Sequence, residues 1–264
     1  MTLALYQDKF RRLNVNVRAG RASPHKICML LALLDLARSG ALTENSIVFA
    51  PPLLERYQRF FEAVRSPNDH PNPYFPFFHL AGKLRRSGAS FWHLQPLPGR
   101  ETALAALPTA RSLRDITDNI ACATLDPELV AVLQQPESLE ALAETLSTHW
   151  LDRGLQDLRA VAARAGEVSR YEHRLRQGIE LTAAEAPPPA YARDPAFRRV
   201  VIELYDYRCA ASGERLLLPS GEAMVEAAHI HPFSEAGDDD PRNGLALTPD
   251  MHWAMDRHQI SLFD

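Results

Sequence analysis

The run His25-Lys26-Ile27-Cys28-Met29-Leu30-Leu31-Ala32-Leu33-Leu34-Asp35-Leu36 constrains the fold more than any other stretch of the chain. Ser23-Pro24 before it supplies a helix N-cap and first-position pair, and Ser39-Gly40 after it supplies a stop. A helix this apolar has no polar face to turn toward water, so it is expected to run through the core of its domain. Two further helices are expected around it, a short one over Tyr6–Leu13 and a longer one from about Pro52 to Val64. In the longer one Leu53, Leu54, Tyr57, Phe60, Phe61 and Val64 recur at helical spacing and read as core.

The stretch Asn72-Pro73-Tyr74-Phe75-Pro76-Phe77-Phe78-His79-Leu80 is aromatic and stiffened by proline. Lys83, Arg85 and Arg86 follow, and Ser90-Phe91-Trp92-His93-Leu94 is expected to be a strand. Aromatics beside a basic cluster fit a nucleic-acid surface, where stacking and phosphate contacts cooperate. They fit the aromatic core of a small domain equally well, and composition leaves both readings open. Charge divides the chain more clearly. Residues 1–100 hold 14 Lys/Arg against 6 Asp/Glu, while residues 101–264 hold 15 against 27. The net charge of −4 therefore conceals a basic front part, which is the expected phosphate-contacting surface.

A chain of 264 residues has room for two ordinary domains, and its 46% hydrophobic content is that of a globular protein. No apolar run approaches the roughly 20 residues needed to span a bilayer, and Met1-Thr-Leu-Ala-Leu-Tyr-Gln-Asp8 lacks the pattern of a signal peptide. A cytoplasmic location without membrane attachment is the expectation. Cys28, Cys122 and Cys209 form no Cys-x-x-Cys pair, which argues against a zinc knuckle and a disulfide framework. From about Arg111 to Gln177 the chain reads as helices, with breaks at Asp126-Pro127 and Gln135-Pro136. Leu139, Leu142, Ala143 and Leu146 make an amphipathic face there, continued by Leu151, Leu155, Leu158 and Val161. No catalytic motif is present in this part, so a spacer is expected, with dimerisation as a second role. The Pro187-Pro188-Pro189 stretch marks a stiff linker, and Asp194-Pro195 is expected to cap the helix leading into the last domain.

That last domain carries the chemistry. It contains Glu226-Ala-Ala-His229-Ile-His231-Pro232, then Asn243-Gly244-Leu245, then His252-Trp-Ala-Met-Asp256. One imidazole can take a proton from water, while an amide oxygen and a second imidazole can help hold a divalent cation over a phosphate. Ala223–His231 reads as a strand with Val225, Ala227, His229 and His231 on one face. Thr248-Pro249 reads as the start of a helix that carries His252 and Asp256 at i and i+4. His231 either packs or binds a phosphate. Asp238, Asp239 and Asp240 lie in a loop with Gly237 and Pro241 and read as solvated acids.

Tyr207-Arg-Cys209-Ala-Ala-Ser212-Gly213, Ala228-His229-Ile230-x-Pro232, Asn243-Gly244-Leu245 and His252-x-x-x-Asp256 together resemble the HNH endonuclease family, with its ββα-metal fold, over about residues 194–264. The resemblance implies that His229 is the general base and that His252 ligates the metal. Asn243 either ligates it or braces the loop. Glu226 and Asp256 are the further candidate ligands. Many members carry an Asp or His ligand where this chain has Ala228. A site of oxygens and imidazole suits Mg²⁺ or Mn²⁺ and also admits Zn²⁺, Co²⁺ or Ni²⁺.

The front part has a resemblance of its own. Ser23-Pro24-His25-Lys26 with its Leu-rich helix, Tyr74-Phe75-Pro76-Phe77-Phe78-His79-Leu80 and Phe91-Trp92-His93-Leu94 resemble the sulfur-binding domain of McrA-type (type IV) restriction endonucleases, over roughly residues 5–100. Those enzymes act on phosphorothioate DNA, in which sulfur replaces a non-bridging phosphate oxygen. The resemblance implies that His25 and Lys26 lie at the modified phosphate and that Phe75, Pro76 and His79 line the sulfur pocket. Tyr74, Arg85 and Arg86 join the candidate DNA surface. Family members often have Arg at the Lys26 position, and Tyr with a small residue at the Phe75 and His79 positions. The expected architecture is thus α+β and mainly helical: a DNA-binding domain over 1–105, a helical spacer over 106–182, a linker over 183–193 and a nuclease domain over 194–264. The expected function is restriction of sulfur-modified double-stranded DNA with a divalent metal. The alternatives are an HNH endonuclease that reads an unmodified sequence or another modification, and a DNA-binding protein whose nuclease site has lapsed. Cutting both strands makes a homodimer the expected assembly.

Overall fold

The structure is a computed structural model and describes residues 2–85, 88–151, 155, 157–179, 187–218 and 222–261. The chain forms two compact units, Met1–Gly166 and Glu167–Asp264.

In the first unit, α1 (Thr2–Arg11) leads to a two-stranded hairpin, β1 (Val17–Arg18) and β2 (Arg21–Ala22). Ala19 (φ 49°) and Gly20 (φ 80°) both take positive φ at its tip, as a two-residue hairpin turn requires. Then come α2 (His25–Arg38), α3 (Pro51–Val64), α4 (Tyr74–His79), β3 (Trp92–Pro96), α5 (Glu101–Ala106), α6 (Leu113–Thr117), β4 (Ile120–Leu125), α7 (Pro127–Leu133) and α8 (Pro136–Leu151). The apolar helix is α2, and every residue from Ile27 to Leu34 is buried. Its one buried acid, Asp35, is matched by Arg56 at 3.3 Å and Arg59 at 2.7 Å, both from α3.

Ser23 does not cap α2. Pro24 holds the N-cap position, and the Ser23 hydroxyl lies 2.9 Å from His25 Nδ1 instead. The aromatic run folds as the short helix α4 and divides between the two readings left open for it. Phe77 and the following Trp92 are core residues, whereas Phe75 is exposed.

The segment expected to be a spacer belongs largely to this same core. Residues 120–125, expected to be helical, form β4, which pairs with β3 from Trp92↔Leu125 to Pro96↔Ile120. Ile47 bridges to Ala123 on the far side of β4. Leu142, Leu146 and Trp150 of α8 share one apolar cluster with α2. A boundary at 105 would part β3 from its partner strand and strip one side of α2. The all-apolar helix requires that cover, and residues 106–151 supply it.

The second unit takes up the C-terminal part of α9 (Leu158–Gln177), followed by α10 (Ala190–Leu204), β5 (Glu226–His229), α11 (Phe233–Ala236), a 3₁₀ turn over Pro241–Asn243, β6 (Gly244–Leu247) and α12 (Pro249–Asp256). Only residues 187–193 of the expected linker lie among those described, and the chain is helical from Ala190. Pro189 is the N-cap, and Pro195, expected beside a cap at Asp194, sits inside α10. β5 and β6 pair antiparallel from Glu226↔Leu247 to His229↔Gly244, and α12 follows directly. This is a strand–strand–helix unit, with Phe197, Val201 and Ile202 of α10 packed into its core. The strand ends at His229, earlier than expected, so His231 does not share its face. Among the described residues no helix is long and apolar enough to cross a membrane.

Candidate active site

His229 ends β5, where its backbone pairs with Gly244. Its ring lies flat on Phe197 of α10, with centroids 3.9 Å apart and planes 2° from parallel. This stacking explains Gly244, which has an ordinary extended backbone. A Cβ there would overlap Val201 Cγ2 and lie 2.9 Å from Phe197 Cζ, so any larger residue would displace the ring that supports His229. His229 Nε2 lies 3.0 Å from Asp239 Oδ1. Nδ1 makes no hydrogen bond among the described residues.

Asp239 departs from the expectation of a solvated acid, being only 5% exposed. Its Oδ2 accepts the Tyr171 hydroxyl at 3.1 Å and lies 3.7 Å from Arg193 Nη1. The Arg193 guanidinium in turn lies 3.5 Å from the centroid of the Phe233 ring. Burial and the Asp239 charge push the Tyr171 hydroxyl far up, which keeps it a donor. Asp240 is partly exposed and caps the 3₁₀ turn through Arg242 N–H at 2.8 Å.

Asn243 is buried, and all of its amide is committed to backbone. Its Oδ1 accepts His231 N–H at 2.8 Å, and its Nδ2 donates to the carbonyls of His231 at 2.9 Å and Asp238 at 3.1 Å. Of the two roles open to it, the geometry is that of a brace, clasping both ends of the loop that delivers Asp239.

His252 sits on α12 with Nδ1 2.8 Å from Glu226 Oε2 and Nε2 3.9 Å from Asp256 Oδ1. One imidazole and two largely exposed carboxylates are donors of the kind a divalent cation accepts. Among the described residues, however, no three His, Cys, Asp or Glu side chains are gathered as a ready metal site. Ala228 is buried in the apolar core, so a ligand side chain at that position would be enclosed there. The start of α12 is anchored by Cys209, whose sulfur receives the Thr248 N–H at 3.4 Å and the Ser212 N–H at 3.5 Å. Burial pushes this thiol up, but the Ser212 and Thr248 donors outweigh it and bring it down to about 7.

In the first unit, a cavity of about 160 Å³ is lined by Asn14, Asn16, Ser23, His25, Lys26, Phe75 and His79 among others. Four of the candidate residues therefore meet. Burial pushes the Lys26 ammonium down to about 8, and no acidic side chain pairs with it among the described residues. His25 is held between Ser23 and the His70 carbonyl, 3.0 Å from Nε2, and burial lowers its affinity for a proton. His79 is lowered by burial and by Lys26, packs 4.3 Å from the Phe75 ring and bonds Thr109 at 2.8 Å.

The other candidates stand apart. Tyr74 bonds Asn72, Pro76 is buried, and Arg85 is tied to the Val15 carbonyl. Arg86 lies outside the described residues. Asn14 and Asn16 were not expected at this site. The alternation Asn14-Val15-Asn16-Val17 before Ala19-Gly20 is the sequence signal that would have placed them on one face of the hairpin's approach.

Residues 209–262 match the family model described as HNH endonuclease. A comparison with curated proteins finds no match. The second unit thus carries an HNH endonuclease domain, which implies a nuclease acting on DNA. The matched segment includes His229, Asn243 and His252, together with Asp239. Tyr171, Arg193 and Phe197 lie before it.

Proposed function

We propose that this chain is a modification-dependent DNA endonuclease in which His229 is the general base. The observation that carries the reading is the set of His229: Nε2 is engaged by a buried carboxylate while Nδ1 has no hydrogen-bond partner among the described residues. A water oxygen bonds to phosphorus, its proton passes to Nδ1, and the bond to the 3′ oxygen breaks to leave a 5′-phosphate end. The departing oxygen takes its proton from solvent. His252, with Asp256 and Glu226, would hold a divalent cation, Mg²⁺ or Mn²⁺ by donor type. Such an ion supplies a Lewis acid for the negative charge that grows on the phosphate oxygens. Asn243 keeps the loop in register with β5.

The first unit is proposed to find DNA carrying a backbone sulfur. Lys26 supports this reading, because a half-buried cation with no carboxylate partner among the described residues is suited to an anion from outside. Phe75 supplies apolar surface next to it. Sulfur is larger and less hydrated than oxygen, and a few apolar contacts discriminate by about 1–3 kcal/mol. One observation favours a second reading, in which the target is unmodified DNA or carries another modification. The His79 ring, fixed by Thr109, packs against Phe75 at a position where members of the family it resembles often have a small residue. The test is a gel shift of the His229→Ala protein with one duplex, with and without a single backbone sulfur. Preference for the sulfur-containing duplex upholds the first reading, and indifference upholds the second.

A further inference from the structure

We propose that Asp239 is the positioning residue for His229, fixing its tautomer and ring orientation, and that Tyr171 and Arg193 fix Asp239 in turn. The inference rests on the reading of His229 as the base.

A neutral imidazole carries its proton on one nitrogen, and the hydrogen bond made by the other groups around it decides which. Oδ1 of Asp239 stands 3.0 Å from Nε2, and an ionised carboxylate is an acceptor only, so Nε2 keeps the proton. Nδ1 is then the nitrogen with a lone pair. The remaining freedom of the ring is rotation, which the parallel Phe197 face at 3.9 Å restricts.

Asp239 would orient His229 poorly if it were a mobile loop acid. Three separate elements hold it. Tyr171 donates to Oδ2 from α9, Arg193 approaches the same oxygen from α10, and Asn243 ties the Asp238 carbonyl from the 3₁₀ turn. Arg193 is itself immobilised on the Phe233 ring. The hydroxyl and the guanidinium balance the buried negative charge without competing for Oδ1. The arrangement follows the general logic by which a buried carboxylate orients a catalytic imidazole, where loss of the carboxylate costs rate mainly through the wrong tautomer.

The test uses the full chain, with ¹⁵N-labelled histidine, as wild type, Asp239→Asn, Tyr171→Phe and His229→Ala. The ¹⁵N shifts of His229 report its tautomer independently of any cutting. Single-turnover cleavage of DNA with Mn²⁺, alongside binding of the same DNA, reports the consequence. Wild-type His229 is expected to hold the proton on Nε2, and Asp239→Asn to move population to Nδ1. Cleavage in that variant is expected to fall roughly 100-fold or more with DNA binding unchanged. Tyr171→Phe, which leaves Oδ1 in place, is expected to lose several-fold and keep the wild-type tautomer. A proton on Nδ1 in the wild type, or an unchanged tautomer and rate in Asp239→Asn, would overturn the proposal. His229→Ala cutting at the wild-type rate would instead overturn the reading of His229 as base.

Discussion

His229 and Lys26 are both half-buried, one in each unit, and they differ in what answers them. His229 meets a buried carboxylate at 3.0 Å, and that carboxylate is itself matched by Tyr171 and Arg193. Lys26 meets two imidazoles and two asparagines but no acid among the described residues, and burial pushes its ammonium down to about 8. A site whose charges are balanced within the chain has its geometry set before any substrate arrives, as catalysis requires. A site that leaves a cation desolvated keeps part of its stabilisation for an incoming anion. In the proposed function, the first arrangement cuts and the second holds.

The largest effect that would break this contrast belongs to His229. His229→Ala is expected to lower cleavage by roughly 100- to 10,000-fold, the range for loss of a general base, and to leave DNA affinity nearly unchanged. A plasmid-nicking assay beside a binding titration reads both. Parallel loss of binding and cutting would merge the two roles that the comparison separates. Gly244→Ala comes next. The added methyl overlaps Val201 and crowds Phe197, and overpacking of this kind costs about 1–3 kcal/mol. The second unit is expected to melt several degrees lower, with cleavage reduced because the ring beneath His229 moves. An unchanged melting curve would show that α10 does not press on β6 at this point.

Much of this organisation is legible in the sequence, and the exceptions share a cause. The absence of any polar face in His25–Leu36 announces a core helix without reference to the rest of the chain. His229, Asn243 and His252 stand out because they occur together in the segment that matches the HNH endonuclease model. Asp239 does not, since its neighbours Gly237, Asp238, Asp240 and Pro241 spell a solvated turn. Its burial is decided by a tyrosine 68 residues earlier in the chain, which no local window contains. The strand Ile120–Leu125 is hidden for the same reason, because pairing with β3 and Ile47 overrides a sequence whose two alanines are equally at home in a helix. Gly244 reads as turn chemistry after an asparagine, whereas its real constraint is steric and comes from Phe197 and Val201.

The smaller effects sharpen the N-terminal half of the comparison. Lys26→Met keeps the length and the apolar stem of the side chain and removes the charge. It is expected to weaken binding of the preferred duplex about 10-fold, the worth of one charge-assisted hydrogen bond. The same residue predicts a pH dependence. Burial lowers its proton affinity, so the free protein holds the cation below about pH 8 and loses it above. If a backbone anion pairs with Lys26, binding above that point must take up one proton, and affinity is expected to fall several-fold between pH 8 and pH 9 by linkage. Lys26→Arg keeps its charge throughout this range, so its binding should stay level while that of the wild type declines. A binding titration at both pH values distinguishes the two. Equal declines in wild type and Lys26→Arg would place the titrating group elsewhere and leave Lys26 without the external partner that the comparison assigns to it.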